Sequence, residues 1–296
     1  MEGILPVWKP KGYTSHDCVM KVRKWLGIKK IGHTGTLDPE VEGVLPLCIG
    51  KATKIVPFLT DVSKSYQASI TLGIATETQD HTGSVTKIQH LEKPIANETI
   101  EEVIQQFHGE QKQQVPLYSA VKVNGKKLYQ YARENIPVER PVRSIYISSI
   151  HVKDIHYHAG ERTEHIGFDV TCSKGTYVRT LCVDIGKALG VPAHMSDLKR
   201  TEVGSFNKSN SIPLAEIEDH HQEITSYICP INMGIRHLPA ISVDAETKRK
   251  VQYGQKLPVP DHLPETDYFR MLYQDEVLAI YQLHQNQTEI KPARVL

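Results

Sequence analysis

Three patterns in this 296-residue chain predict an α+β fold that ends in a small β-rich domain. Ser65–Leu72 alternates, with Tyr66, Ala68, Ile70 and Leu72 on one face, as a strand buried on one side does. Apolar residues recur at helical spacing in Cys18–Leu26 (Val19, Val22, Trp25, Leu26) and in Asn97–Phe107 (Ile100, Val103, Ile104, Phe107). Beyond Ala240, short strand-like runs are punctuated by Gly254 and several prolines.

Taken in order, the first forty residues read as a short strand, a loop, a helix and a second loop. Ser15 or Asp17 is placed to cap the helix. Val142–Asp154 and Ile166–Cys172 read as strands, and Thr176–Leu189 as a strand end or a helix. Gln113–Pro141 breaks the alternation. It is basic, carries Tyr118, Tyr129 and Tyr131, and is flanked by prolines, which suggests a projecting insertion. Tyrosines stack on unpaired bases while lysines meet phosphates; a helix packing Leu128 and Tyr131 on the core is the other reading. Ser211–Pro239 reads as a helix and linker closing a main domain over 1–239. Leu257–Val259, Tyr268–Leu272 and Val277–Leu283 read as strands of a second domain over 240–296. No internal repeat or low-complexity segment is visible.

Composition narrows the function classes. Apolar residues make up 40% and charged residues 23%, as in ordinary globular proteins. No apolar run approaches the roughly 20 residues that span a bilayer. The start, Met1–Pro6, has no basic leader, so the cytoplasm is expected. Five scattered cysteines (Cys18, Cys48, Cys172, Cys182, Cys229) include no CxxC pair, which points to reduced thiols. His156-Tyr157-His158 and His220-His221 lack metal-ligand spacing, so no metal site is expected. Neither a GxGxxG run nor a P-loop is present.

Net charge is only +1, but the charges are uneven. One basic cluster holds Lys9, Lys11, Lys21, Arg23, Lys24, Lys29 and Lys30. A second holds Lys122, Lys126, Lys127, Arg133, Arg140 and Arg143, and a third Lys174, Arg179, Lys199, Arg200 and Lys208. Glu216, Glu218, Asp219 and Glu223 form an acidic segment. The pattern fits a polyanion-binding face with an acidic back, or ordinary solvated charge.

The chemistry concentrates in Gly32-His33-Thr34-Gly35-Thr36-Leu37-Asp38-Pro39. Two glycines supply bends, and Pro39 biases Asp38 away from helix. Such a loop holds a carboxylate at a defined position; an Asx turn or helix N-cap fits the same letters. Around it lie Lys9-Pro10-Lys11-Gly12-Tyr13-Thr14-Ser15-His16-Asp17, Ser65-Tyr66-Gln67, Tyr118-Ser119-Ala120-Val121-Lys122 and Ser173-Lys174-Gly175-Thr176-Tyr177-Val178-Arg179-Thr180. Together and in this order, from about Gly3 to about Phe206, these motifs resemble the bacterial TruB-type tRNA pseudouridine synthases, which modify uridine 55 of the T loop.

The resemblance implies a pseudouridine synthase core with a mixed, largely antiparallel sheet, and a PUA-like C-terminal domain. It implies that Asp38 is the essential carboxylate, either attacking C1′ or removing the C2′ proton. Tyr66 matches the active-site tyrosine, able to stack on the base and relay a proton. Arg179 matches the arginine that pairs with the carboxylate. Tyr177 and Leu198 match uracil-pocket positions, His33 and Asp80 match RNA-facing ones, and Lys9 has a supporting or phosphate role. The reaction adds and removes no atoms, so no cofactor is expected. The implied partner is tRNA, with the target base flipped out of its loop, and no obligate protein partner. Three rivals remain: a non-catalytic tRNA-folding protein, an RNA-guided synthase of the same fold, and an unrelated hydrolase using Asp38 and His33.

Overall fold

The computed structural model describes residues 1–219 and 223–296, so the His220-His221 pair lies outside the described residues. The chain begins with β1 (Gly3–Lys9), α1 (Ser15–Leu26), β2 (Ile31–His33), β3 (Glu42–Ile49) and α2 (Val56–Thr60). Next come β4 (Lys64–Leu72), the hairpin β5 (Ile74–Thr76) and β6 (Val85–Ile88), α3 (Asn97–Gln105) and β7 (Gly109–Gln114). A small hairpin, β8 (Lys122–Val123) and β9 (Lys126–Lys127), leads into α4 (Leu128–Arg133). β10 (Val142–His158), β11 (Thr163–Cys172), α5 (Val178–Ala188) and β12 (Ala193–Val203) follow. Then come β13 (Phe206–Asn207), β14 (Ile212–Pro213), α6 (Leu214–Asp219) and α7 (Ile231–Gly234). The last elements are β15 (Ala240–Ser242), α8 (Ala245–Gln252), β16 (Leu257–Pro258), β17 (Phe269–Tyr273), β18 (Glu276–Leu283) and β19 (Glu289–Val295).

These elements fall into two compact units, one from 1–39, 43–62 and 202–296, the other from 40–42 and 63–201. In the first, β1 and β2 both run antiparallel to β3, and β14 lies parallel to β1. Leu5, Val7, Leu45, Leu47 and Ile49 pack one face against Cys18, Val19 and Val22 of α1. Ile4, Val44 and Cys48 pack the other face with Ile55, Leu59 and Phe206. Apolar contact on both faces explains why β1 and β3 read as continuous apolar runs rather than alternating ones. In the C-terminal stretch of the same unit, five strands in the order β15-β17-β18-β19-β16 surround Val251, Phe269, Met271, Tyr281 and Ile290.

The second unit is a sheet in the order β12-β4-β11-β10-β7. β4, β11, β10 and β7 are antiparallel neighbours, and Tyr66 stands opposite Val170. Tyr66, Ala68, Ile70 and Leu72 are all buried, as their alternation predicts. Thr176–Leu189 resolves into a helix, α5, entered through Tyr177.

Two expectations are corrected. Helix α1 is capped by Thr14, whose hydroxyl accepts from the Asp17 N–H at 3.0 Å while Asp17 accepts from the Thr14 N–H at 2.8 Å. That is a capping box, with Asp17 at its third position and Ser15 free to turn inward. β10 runs on to His158, past the expected end at Asp154, because a bulge at Val152/Asp154 interrupts the alternation.

Candidate functional site

The Asp38 loop belongs to the first unit and is tied on both sides of the carboxylate. Thr34, buried, donates to the Pro46 carbonyl at 3.3 Å. The Leu37 N–H donates to the buried Ser15 hydroxyl at 2.8 Å. The Pro39 carbonyl accepts from the Gly12 N–H at 2.9 Å and from the Lys9 ammonium at 3.1 Å. Asp38 is half-buried between these anchors. Gly35 stands at φ 153°, where a β-carbon is poorly tolerated, and its N–H donates to His33 Nδ1 at 3.3 Å. His33 is half-buried at the end of β2.

Lys9 is fully buried, and its ammonium also donates to the carbonyls of Pro10 (2.9 Å) and Tyr13 (2.6 Å). It joins the Asp38 loop, through the Pro39 carbonyl, to the Pro10–Tyr13 turn. It leaves the surface basic cluster, as do Arg179 and Arg200, 6% and 2% exposed. Lys199 pairs with Glu42 at 2.7 Å, and in the acidic segment Glu218 pairs with Lys21 at 3.3 Å. The described surface cations of the third cluster thus narrow to Lys174 and Lys208, which lies 5.5 Å over the Trp8 ring.

The second unit gathers Arg179, Asp80 and the insertion. Arg179, on the first turn of α5, donates to the Thr78 carbonyl at 2.9 Å and the Tyr118 carbonyl at 3.0 Å. It also lies 3.6 Å from the Asp80 carboxylate. Asp80 Oδ1 accepts from the Thr78 hydroxyl (2.7 Å), the Thr82 hydroxyl (2.6 Å) and the Thr82 N–H (3.0 Å). Burial alone raises the Asp80 carboxyl, but these hydrogen bonds, with Arg179, outweigh it and hold it below the usual value. The loop is pinned to β12, where His81 N–H reaches the Met195 carbonyl and Met195 N–H the Gln79 carbonyl, both at 3.0 Å. At Gly83 a β-carbon would sit 2.4 Å from the Thr78 hydroxyl, so only glycine closes this turn. Asp80 therefore sits in a turn, buried beside Arg179.

Tyr177 and Leu198 stand at the N-cap of α5 and on β12, half-buried and 8% exposed. Tyr66 is 9% exposed on β4, beside β12.

The sequence reading missed Gln113. Its amide brackets the Tyr177 backbone, donating to its carbonyl at 3.0 Å and accepting from its N–H at 2.7 Å. A glutamine in a polar strand offers no sequence signal for that. Arg200 was visible, but only as surface charge; its two-residue offset from Leu198 on an alternating strand was the available clue.

The insertion leaves the sheet between paired strands, with Val115 N–H donating to the Pro141 carbonyl at 2.9 Å. Leu128 is fully buried, and the Tyr131 hydroxyl donates to the Val123 carbonyl at 3.0 Å, which ties α4 to the β8–β9 hairpin. Lys127 and Arg133 lie 5.6 Å and 5.3 Å from the Tyr129 ring centre. The Tyr118 hydroxyl donates to Glu77, which ties the insertion to the Asp80 loop.

Among the described residues no group of three or more His, Cys, Asp or Glu is arranged to hold a metal, and no helix is long and apolar enough to cross a membrane.

Comparison with known proteins identifies the family. Residues 23–178 match the N-terminal domain model of TruB family pseudouridylate synthases, and 179–235 the C-terminal domain model of tRNA pseudouridylate synthase B. A tRNA pseudouridine synthase B of Oceanobacillus iheyensis is 52% identical over 100% of this chain and 97% of its own length. One from Bacillus subtilis is 48% identical over 100% and 98%. Among solved structures, a chain of a Cbf5-Nop10-Gar1 complex matches with a TM-score of 0.77 at 29% identity, covering 99% of this chain and 84% of that one. With its motifs, fold and relatives all in agreement, the chain belongs to the TruB family of pseudouridylate synthases.

Proposed function

We propose that this protein isomerises uridine 55 in the T loop of tRNA to pseudouridine. The observation that carries the reading is the Asp38 loop of a TruB-family chain, in which the residues flanking the carboxylate are both anchored. Asp38 is the essential carboxylate. It works at the sugar, either attacking C1′ or removing the C2′ proton, while the N1–C1′ bond breaks and the base turns to rejoin through C5. Tyr66 stacks on the uracil and takes the proton released from C5. Tyr177 and Leu198 line the base pocket. Arg179, fixed by Asp80, aims Asp38, and His33 holds the opened T loop. The chemistry is redox-neutral and uses no cofactor.

Flipping the target base out of its stack costs a few kcal/mol. The aromatic groups and the cations of the insertion, Lys122, Lys127 and Arg133, are suited to offset that. The enzyme acts in the cytoplasm without an obligate protein partner, and its catalytic domain spans 1–239, followed by a PUA-like domain over 240–296.

The test is release of tritium from C5-labelled unmodified tRNA by wild-type protein and Asp38→Asn. Release from uridine 55 by wild type alone, with equal tRNA binding by both, supports the reading. Tight binding without release by either puts the tRNA-folding or guided reading first.

A further inference from the structure

Helix α5 opens without a side-chain cap of its own. Its N-cap position is Tyr177, extended in backbone, and the tyrosine side chain makes no capping hydrogen bond. Serine, threonine, aspartate and asparagine cap a helix from that position, and an aromatic ring does not replace them. The backbone there is held from another strand instead. Gln113, 3% exposed, is the one buried residue of β7. Its Oε1 accepts from the Tyr177 N–H at 2.7 Å, and its Nε2 donates to the Tyr177 carbonyl at 3.0 Å. That carbonyl also accepts from the Leu181 N–H at 3.0 Å, within the first turn of the helix. An N–H only donates and a carbonyl only accepts, so the two backbone groups fix which way the amide points. Two residues on, Arg179 reaches from the same turn to the Thr78 and Tyr118 carbonyls. All of these residues belong to the second unit.

We propose that Gln113 is a positioning residue for the reaction: it fixes the backbone of Tyr177, so that the Tyr177 ring confines the uracil while the base is detached from the sugar. This rests on the reading of Tyr177 given above. Between cleavage of N1–C1′ and closure of the bond through C5, the base has no covalent tether and must turn in place. A ring lining the pocket limits that motion only if its own backbone is held, and misplacement by about 1 Å costs on the order of 100-fold in rate.

The chain reaches Tyr177 through a turn whose Lys174 and Gly175 are exposed, with Gly175 at φ 81°, so on that side the hold comes from β7. Helix capping alone does not account for the arrangement, because a serine or aspartate at position 177 would supply it without a second strand. Glutamine suits the task because its amide presents one donor edge and one acceptor edge, as a peptide group does. Asparagine carries the same amide on a stem one methylene shorter and does not reach as far.

A double-mutant cycle on single-turnover tritium release at saturating tRNA tests the proposal with wild type, Gln113→Met, Tyr177→Ala and the double variant. Methionine keeps much the volume of glutamine and removes both hydrogen bonds. The expected result is a rate for Gln113→Met about 100-fold lower, with tRNA affinity within about threefold of wild type. In the Tyr177→Ala background the same substitution should cost less than about threefold, because no ring is left to misplace. A wild-type rate for Gln113→Met overturns the proposal. So does an equal loss in both backgrounds, which is what a merely structural glutamine gives. Should Gln113→Met not fold, Gln113→Asn, which keeps an amide in the strand, carries the same cycle with the same two outcomes. Wild type that releases no tritium overturns the reading of the enzyme itself, and Tyr177→Ala at the wild-type rate overturns the reading of the pocket. Active wild type with slow Tyr177→Ala and normal Gln113→Met overturns only this inference.

Discussion

Lys9 presents its ammonium to three backbone carbonyls, those of Pro10, Tyr13 and Pro39, with no exposure to solvent. Replacing it by methionine keeps the stem but leaves three acceptors short of a donor. The expected loss is about 2–4 kcal/mol in urea unfolding. Because the Pro39 carbonyl lies next in sequence to Asp38, turnover should fall further than tRNA binding does. Asp80 gives a pH prediction. Its folded pKa is depressed, so its contribution to stability is present above the unfolded carboxyl value of about 3.9 and is lost as pH falls through the lower folded value. The melting temperatures of wild type and Asp80→Asn should therefore differ at pH 7 and converge as acid protonates Asp80; a constant gap would contradict this. The loop around Asp38 and the burial of Tyr66 were legible because their neighbours in sequence carry the pattern. The bracing of Tyr177 by Gln113 and the burial of Arg200 were not, because a polar letter in a strand does not say whether it faces water, a distant backbone or the core.

At the scale of elements, helix α1 depends on a reciprocal cap, so Thr14→Ala should cost about 1 kcal/mol by thermal or urea melting. The β8–β9 hairpin turns through Asn124 and Gly125, both with positive φ, at 50° and 81°. A β-branched residue resists that conformation. Gly125→Val should therefore weaken tRNA binding about tenfold or more while the melting temperature of the main transition barely moves, a pairing that filter binding and calorimetry can check. Strands β4 and β11 were legible because their alternation reports burial directly. Helix α8 escaped the reading because Ala245–Gln252 has a mostly polar composition and buries one residue, Val251. The small strand β15 was lost for a related reason, since three residues hold no periodicity to detect, whereas β16 lies inside the expected Leu257–Val259 run.

For the whole molecule, a net charge of +1 conceals local cationic surfaces, and the burial of Lys9, Arg179 and Arg200 makes those surfaces smaller than the sequence suggests. If four phosphates are contacted, raising monovalent salt from about 50 to about 200 mM should weaken tRNA binding by roughly 100-fold. A flat response would argue against backbone contacts as a main source of affinity. The insertion enters and leaves its sheet at one point, where Val115 and Pro141 are already hydrogen-bonded and the strands on either side are in register. Closing that gap is a condition the sheet meets for itself, and the entropic cost of a longer excursion grows only with the logarithm of its length. The segment is thus a socket: beyond Tyr118, which Arg179 and Glu77 hold, hairpins of other lengths and charges can be exchanged while the β7–β10 pairing is left in place.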